Sequence, residues 1–167
     1  GQIYLNPQTW AVLSGVAGDR GRGVKALRAV QDRLDTAFGP KILAPAYRQI
    51  DDRIGLITRC VAGKKETGAV FNHTTTWAIM AECLAGHGQR AVELYEKLAP
   101  VSFEQERYQI EPYVYAQYTT SDEHETYGQG SHSWLSGTAA WMFRAALDGI
   151  LGVQPGLDGL RLKPCIP

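Results

Sequence analysis

The chain has 167 residues, enough for one domain with a sizeable core. Its 17 lysines and arginines balance its 17 aspartates and glutamates, so charge gives no reason to expect nucleic acid or an anionic membrane as the main partner. No apolar run approaches the ~20 residues that span a bilayer, and Gly1–Leu5 does not resemble a signal peptide. We therefore expect a cytoplasmic globular protein.

The three cysteines, Cys60, Cys83 and Cys165, are far apart in the sequence. An odd, scattered set fits neither a disulfide framework nor a Cys-x-x-Cys metal site. We expect buried or half-buried free thiols, as in a reducing cytosol. The histidines are scattered as well, which does not favour a metal site.

Five helices are predicted from the N-terminus onward. The first begins at Asn6–Pro7, with the asparagine as its N-cap, and continues through an apolar stretch to Val16. The second is amphipathic, because apolar residues recur at three- and four-residue steps over residues 23–38. The others are a mostly apolar helix from residue 72 or 74 to residue 84, an amphipathic one over 90–98 and a last one over 134–151.

The segments between the helices are irregular or extended. Residues 40–71 carry glycine, proline and charge without a regular period, and connections of this length are commonly functional or disordered. Residues 113–118 alternate enough to predict a short strand, and residues 119–130 are polar and predict a loop. The tail from residue 156 predicts a turn, a short strand at 160–162 and an extended end.

A faint internal repeat links three of the predicted helices. Thr9–Leu13 resembles Thr76–Met80, and Ala140–Met142 is a weaker third copy. Each copy opens an apolar helix, and the first two are followed by an amphipathic one. This alternation predicts a mainly α fold: a partial (α/α)6 barrel of inner and outer helix pairs, with short β segments near the C-terminus. Fewer than half of the pairs of a closed ring are present, so we expect a fragment with an exposed inner face.

His73 is the first candidate for binding chemistry, because it lies at a predicted helix start, where free backbone N–H groups favour anions. An imidazole there adds an N–H donor or a positive charge. Taken alone, His73 is also explained by a hydrogen bond to a loop carbonyl, and Thr74–Thr76 by capping of the helix.

Ser136–Gly137–Thr138 is the second candidate, because small residues let a ligand approach the backbone and hydroxyl groups bond phosphate oxygens; the alternative is tight helix packing. Lys65 and Glu66 are polar candidates that a solvated charged pair would also explain. The sequence has no phosphate-binding glycine loop, no His-Glu-x-x-His motif and no nucleophile elbow. Three tryptophans are predicted as core residues rather than sugar platforms: Trp77, Trp134 and Trp141.

Six runs carry a family resemblance. They are Leu5–Trp10, Gly63–His73, Glu111–Tyr115, Ser133–Trp141, Ile150–Pro155 and Asp158–Leu160 with Pro164–Pro167. In this order, and over nearly the whole chain, they resemble the inverting glycoside phosphorylases of the cellobiose, chitobiose and cellodextrin phosphorylase type. Together the runs are specific, although each one alone is weak.

The resemblance implies an (α/α)6 catalytic barrel, preceded by a β-sandwich domain and followed by a small β-rich cap. Residues 1–155 would then form the C-terminal portion of the barrel and residues 156–167 the start of the cap. The implied reaction cleaves a β-linked disaccharide with inorganic phosphate to give an α-sugar 1-phosphate, with inversion and without a nucleotide or metal cofactor. The implied partners are the disaccharide, phosphate, the rest of the same polypeptide and, as is common in the family, a second copy in a homodimer.

The resemblance also implies roles for particular residues. His73 matches the family's phosphate-binding histidine, and Ser136 and Gly137 match a Thr-Gly pair that contacts phosphate, with serine in place of the usual threonine. Lys65 and Glu66 match residues that hold the acceptor sugar.

Other functional groups of the family are expected outside this chain. The general-acid aspartate and the phosphate-binding arginine lie upstream in the family, so no catalytic residue is expected here, and the chain alone is expected to be inactive. Glu111 and Tyr113 lie in a family motif but have no assigned contact.

Two other hypotheses stay open. One is the C-terminal, phosphorylase-like domain of a cyclic β-glucan synthase, although Gly63–Gly68 and His73–Trp77 fit the disaccharide enzymes better. The other is a non-catalytic, carbohydrate-binding helical module, against which the exposed inner helices argue. The sequence does not decide between cellobiose, cellobionic acid, chitobiose and laminaribiose as substrate.

Overall fold

The computed structural model describes the backbone of residues 1–167 and the side chains of all but residues 19 and 20. Within it six α-helices follow one another: α1 Leu5–Leu13, α2 Gly23–Leu34, α3 Asn72–Leu84, α4 Gly88–Leu98, α5 Gln105–Tyr108 and α6 Ser136–Arg144. A π-helical turn, Gly18–Arg22, precedes α2, and another, Ala145–Ile150, continues α6. The predicted, mainly helical character is therefore confirmed.

Helix α3 lies at the centre and packs against α1, α4 and α6. Apolar or hydroxyl-bearing side chains lie on nearly every side of this helix, and most of its residues are buried. The amphipathic helices lie outside it: α2 packs on α1 and buries Leu27 and Leu34, and α4 packs on α3 and buries Leu94 and Leu98. Two pairs of an inner apolar helix and an outer amphipathic helix result.

Three tryptophans occupy corresponding positions on the inner helices. Trp10 of α1, Trp77 of α3 and Trp141 of α6 form a row. The ring centroids of Trp10 and Trp77 are 5.4 Å apart and those of Trp77 and Trp141 are 6.3 Å apart, both edge to face. The residues that suggest the internal repeat thus lie side by side.

The described residues form seven short strands: β1 Ile3–Tyr4, β2 Leu43–Ala44, β3 Val70–Phe71, β4 Tyr118–Thr119, β5 Gly130–Ser131, β6 Val153–Gly156 and β7 Gly159–Leu162. They pair antiparallel as β1–β2, β3–β4–β5 and β6–β7. The predicted β segments, at residues 113–118 and near the C-terminus, therefore miss β1, β2 and β3. The long connections also form strand pairs, because their buried backbone groups need hydrogen-bond partners.

Several predicted helix ends differ from the structure. Helix α1 ends at Leu13 rather than at Val16, and α4 begins at Gly88 rather than at residue 90. Helix α1 begins one residue before Asn6, so this side chain lies in the first turn and is not the N-cap. Helix α2 ends before Asp35, whose backbone is extended (ψ 143°), rather than at residue 38. Helix α6 begins after Trp134, whose φ of 66° does not fit a right-handed helix.

The C-terminal tail returns to the helices after the β6–β7 hairpin. The Lys163 N–H donates to the Gly152 carbonyl and the Cys165 N–H to the Ile150 carbonyl, both at 2.8 Å. Cys83 of α3 and Cys165 of the tail line the same cavity of about 230 Å³. The three cysteines are free and half-buried, as predicted.

Cys83 is expected to react slowly with alkylating reagents. Burial, with a contribution from the neighbouring Cys165 thiol, raises the pKa of Cys83 to about 12, so its reactive thiolate is scarce near neutral pH. We expect its rate of modification by iodoacetamide to rise about tenfold per pH unit between pH ~8 and ~10. Peptide mass spectrometry after timed alkylation measures this rate, and a plateau by pH ~9 would contradict the prediction.

Apolar side chains are exposed on the flanks of α1 and α6. Trp10 is 43% exposed and Phe143 is 65% exposed, and Ala139 and Ala140 lie in the open beside Phe143. Apolar helix faces of this kind are normally covered by another element. None of the helices in the described part of the chain has the length and apolar character needed to cross a membrane.

Candidate functional site

The three-stranded sheet brings two helix starts together. Strand β3 leads directly into α3, and β5 is separated from α6 by four residues, with β4 between the two strands in the sheet. Gln117, which the sequence analysis did not single out, lies at this junction. Its carbonyl accepts from the Asn72 N–H (2.9 Å), and its own N–H donates to the Ser131 and His132 carbonyls (3.0 Å each). The candidates His73 and Ser136–Gly137 therefore share one end of the structure.

The start of α3 has no side-chain cap among the described residues. The hydroxyl groups of Thr74 and Thr75 donate to the Phe71 carbonyl (2.9 and 3.2 Å), and that of Thr76 donates to the His73 carbonyl (2.6 Å). Because these hydroxyls donate to carbonyls, they do not cap the free N–H groups. The capping interpretation of this threonine run is therefore wrong. The Asn72 N–H already donates to the Gln117 carbonyl, so an anion could use only the other free N–H groups of the first turn.

The start of α6 is placed against His73. Its N-cap position, Leu135, offers no side-chain cap within the described chain. A β-carbon added at Gly137 would lie 3.0 Å from His73 Nδ1 and 3.2 Å from His73 Cε1, so the imidazole packs directly on the glycine. Ser136 is exposed beside it, whereas Thr138 is buried. Two uncapped helix starts and one imidazole thus converge, an arrangement that suits an anion.

His73 is held in a half-buried position. Its ring centroid is 5.0 Å from that of Trp77, and burial lowers the pKa of the imidazole, so His73 is a neutral N–H donor near pH ~7. Its Nε2 and the Nε1 of Trp77 are buried and have no hydrogen-bond partner in the part of the chain that the structure describes. Unpaired buried nitrogens are exceptions in folded proteins, so both atoms are open to a partner from outside the described residues.

A pH effect on stability follows from this burial. Since the pKa of His73 is lower in the folded state, its neutral form favours folding above pH ~6.5, and this contribution is lost as the pH falls toward the folded pKa. In phosphate-free buffer, wild-type protein should lose more thermal stability between pH ~7 and ~5 than the His73→Gln variant. Thermal unfolding across this range measures both slopes, and equal slopes would refute the prediction.

Lys65 and Glu66 form the exposed tip of a tight turn. The Thr67 N–H donates to the Lys64 carbonyl (3.0 Å), and the Gly63 N–H donates to the Thr67 carbonyl (2.8 Å). Lys65 has a φ of 47°, an uncommon left-handed conformation for a residue with a side chain. Among the described side chains neither charge takes part in an ion pair, so the two do not form the solvated pair considered above.

The turn and His73 are joined through β3, which begins soon after Thr67. The Ser121 N–H donates to the Gly63 carbonyl (3.0 Å) and fixes the base of the turn. In the described residues no hydrogen bond links the side chains of Lys65 and Glu66 to His73. Their sugar-binding role therefore stays a prediction.

Trp134 takes part in a contact that the sequence analysis did not predict. Its Nε1 donates to Glu111 Oε1 (2.8 Å), and the Tyr113 ring lies edge to face with the indole at 6.2 Å. Trp134 is 66% exposed, so its assignment to the core is wrong. Both segments are recognisable in the sequence as polar runs. Nothing in the sequence, however, indicates that Glu111 and Trp134 contact each other.

Comparison with known proteins identifies the family. Residues 1–152 match the family described as "Glycosyl hydrolase 94 superfamily, catalytic domain". The chain belongs to this superfamily. Over its whole length, this glycosyl hydrolase 94 chain is 40% identical to N,N'-diacetylchitobiose phosphorylase of Vibrio proteolyticus and 40% identical to solabiose phosphorylase of Paenibacillus borealis. It covers 21% and 22% of these two proteins, so it spans about a fifth of their length.

A third relative of this chain is the cyclic beta-(1,2)-glucan synthase NdvB of Rhizobium meliloti. The identity is 30% over 96% of this chain, which covers 6% of that protein. The predicted resemblance to disaccharide phosphorylases is confirmed. No cluster of three metal-binding side chains occurs among the described residues; that the reaction needs no cofactor stays a prediction.

Proposed function

We propose that this chain supplies the phosphate-binding part of a glycoside phosphorylase active site. The proposed enzyme is a glycosyltransferase that cleaves a β-linked, cellobiose-like disaccharide with inorganic phosphate and releases an α-sugar 1-phosphate. The observation that carries the proposal is the meeting of two uncapped helix starts at His73 and Gly137. The phosphorylase relatives, similar over the whole chain, support the same activity.

The chemistry requires donors rather than a base at this place. Phosphate is already anionic, so the protein has to orient it and offset its charge. The N–H groups at the starts of α3 and α6, the exposed Ser136 hydroxyl and the neutral imidazole of His73 are suitable donors. Gly137 keeps the helix start open, because any side chain there would meet the imidazole.

The proposed reaction forms one bond to the anomeric carbon and breaks another. A phosphate oxygen attacks the anomeric carbon on the face opposite the leaving sugar, and the glycosidic C–O bond breaks. A carboxylic acid gives its proton to the departing oxygen. We propose that this acid is an aspartate outside the present chain, so the 167 residues alone would be inactive. Attack on a β-linkage from the opposite face gives the α-phosphate.

For the acceptor sugar we propose Lys65 and Glu66 as hydrogen-bond partners. Both side chains are exposed at the tip of a turn. Unpaired charged groups form strong hydrogen bonds with sugar hydroxyls. The left-handed backbone at Lys65 supports a functional role, because such strain is found preferentially at ligand sites.

The wider architecture that we propose is an (α/α)6 barrel completed by other parts of a longer polypeptide. The exposed apolar faces of α1 and α6, with Trp10 and Phe143, support this, as does the greater length of the phosphorylase relatives. We assign residues 1–155 to the barrel and 156–167 to the start of a cap. A homodimer is part of the same proposal.

A second candidate is a phosphorylase-like domain in a cyclic β-glucan synthase, which the identity to NdvB favours. The two candidates differ in their substrate. The first predicts cleavage of free disaccharides by phosphate, whereas the second predicts action on β-glucan chains by a much larger protein of which this chain is a small part.

The test uses the full-length protein. It is incubated with cellobiose, cellobionic acid, N,N'-diacetylchitobiose, laminaribiose or solabiose, with and without inorganic phosphate, and the products are followed by ¹H and ³¹P NMR. We expect an α-sugar 1-phosphate from one of these disaccharides only when phosphate is present. Cleavage that does not depend on phosphate, or a β-phosphate product, would overturn the proposal; activity on β-glucan chains alone would favour the second candidate.

A further inference from the structure

The segment between β5 and α6 has an unusual backbone. His132 and Trp134 have φ values of 57° and 66°, which are left-handed conformations at residues that carry a β-carbon. Each such residue costs about 1–3 kcal/mol, so the conformation persists only where surrounding contacts enforce it. This strained segment ends at Leu135, and Ser136 and Gly137 follow directly as the first residues of α6.

Glu111 and Tyr113 contact the strained segment at Trp134. The Trp134 indole donates from Nε1 to Glu111 Oε1 at 2.8 Å, and the Tyr113 ring packs edge to face on the same indole. Hydrogen bonds from the Glu111 backbone N–H, from Trp134 and from Ser133 keep the pKa of Glu111 below its usual value. Glu111 is therefore a carboxylate at neutral pH and accepts hydrogen bonds from this segment.

Burial does not enforce this contact. Trp134 is 66% exposed and Tyr113 is 71% exposed, so water could solvate the indole N–H equally well. Packing in the hydrophobic core therefore does not explain the hydrogen bond of this exposed indole, whose residue has a strained backbone. The bond lies two residues before Ser136, where the chain enters α6.

We propose that Glu111 is a positioning residue for phosphate, which acts through the Trp134 indole to fix the Ser136 hydroxyl and the Gly137 N–H at the start of α6. Glu111 itself does not touch phosphate. The inference rests on the proposed function, because it assumes that phosphate binds at this helix start. It adds a role for Glu111 and for the Trp134 N–H, for which the sequence analysis assigns no contact.

The test compares three variants of the full-length protein, with phosphate and disaccharide varied separately. Glu111→Ala removes the acceptor, Trp134→Phe removes the donor but keeps an aromatic ring, and Glu111→Gln keeps an acceptor oxygen without the charge. We expect Glu111→Ala and Trp134→Phe to raise the phosphate KM about tenfold or more, as for the loss of one orienting hydrogen bond. The disaccharide KM should stay unchanged, and Glu111→Gln should remain close to wild type.

Glu106→Gln is the matched control, because Glu106 is an exposed carboxylate in α5; its phosphate KM should not change. An unchanged phosphate KM in Trp134→Phe, or a rise in the disaccharide KM instead, would overturn the inference even if Glu111→Ala fails to fold. If wild-type protein shows phosphate-dependent cleavage and His73 variants weaken phosphate binding while these variants do not, only the role of Glu111 fails. If wild-type cleavage is independent of phosphate, the proposed function itself fails.

Discussion

Replacing His73 by alanine in the full-length protein is expected to lower kcat/KM for phosphate by about 10²–10³-fold, the range seen when one preorganised donor to a developing or bound anion is removed. The His73 imidazole, in the first turn of α3, packs on Gly137 at the start of α6. Its loss therefore removes a hydrogen-bond donor and admits water to the site. Steady-state kinetics with phosphate as the varied substrate measure the effect.

The control for this variant is His87→Gln. His87 follows the other end of α3 and contacts Glu82 through its Nδ1 (2.6 Å), a contact that the glutamine amide can replace. Its phosphate KM should equal that of wild type. An unchanged phosphate KM in His73→Ala, with cleavage intact, would remove His73 from the phosphate site.

Substituting alanine for Gly152 is expected to give the largest loss of stability. Gly152 has a φ of 67°, and an added β-carbon would lie 1.9 Å from the Lys163 carbonyl oxygen and 2.5 Å from the Pro164 nitrogen. Both neighbours are backbone atoms, so the returning tail has to move and the Lys163 N–H to Gly152 carbonyl bond is lost. We expect the free energy of unfolding to fall by about 2–4 kcal/mol, measured by denaturant titration, and faster proteolysis of the tail.

Gly159→Ala separates the two causes of the expected loss at Gly152, which are backbone strain and the steric clash with the tail. Gly159 also has a positive φ, 134°, but a β-carbon there would meet nothing within 4 Å. This variant carries the backbone strain without the clash and should lose only about 1–2 kcal/mol. Equal losses in the two variants would mean that the docking of the tail against Gly152 contributes nothing.

Periodicity predicts the helical part of the fold well, because helix packing imposes a 3.6-residue pattern that the sequence retains. The third helix is predicted to begin at residue 72 or 74 and to end at residue 84, and the structure has it at Asn72–Leu84. The repeated tryptophans, Trp10, Trp77 and Trp141, form a row of neighbouring rings. The three-stranded sheet is not predicted. Its strands have two residues each and pair residues far apart in the sequence, so neither alternation nor length reveals them.

The candidate site is predicted in its residues but not in its geometry. The run around His73 and that around Ser136–Gly137 each carry a recognisable composition, whereas their contact depends on the sheet that joins the two helix starts. The N-cap assignment of Asn6 is wrong because β1 runs straight into α1. Trp134 is misassigned to the core because an exposed indole and a buried one have the same sequence signature.

The most direct measurement is a crystal structure of the full-length protein with bound phosphate. We expect phosphate oxygens within about 3 Å of a His73 ring nitrogen and of the Gly137 N–H, with the Ser136 hydroxyl donating to the same anion. Phosphate bound elsewhere, with the His73 ring nitrogens paired to other protein groups, would show that these two helix starts do not form the phosphate site.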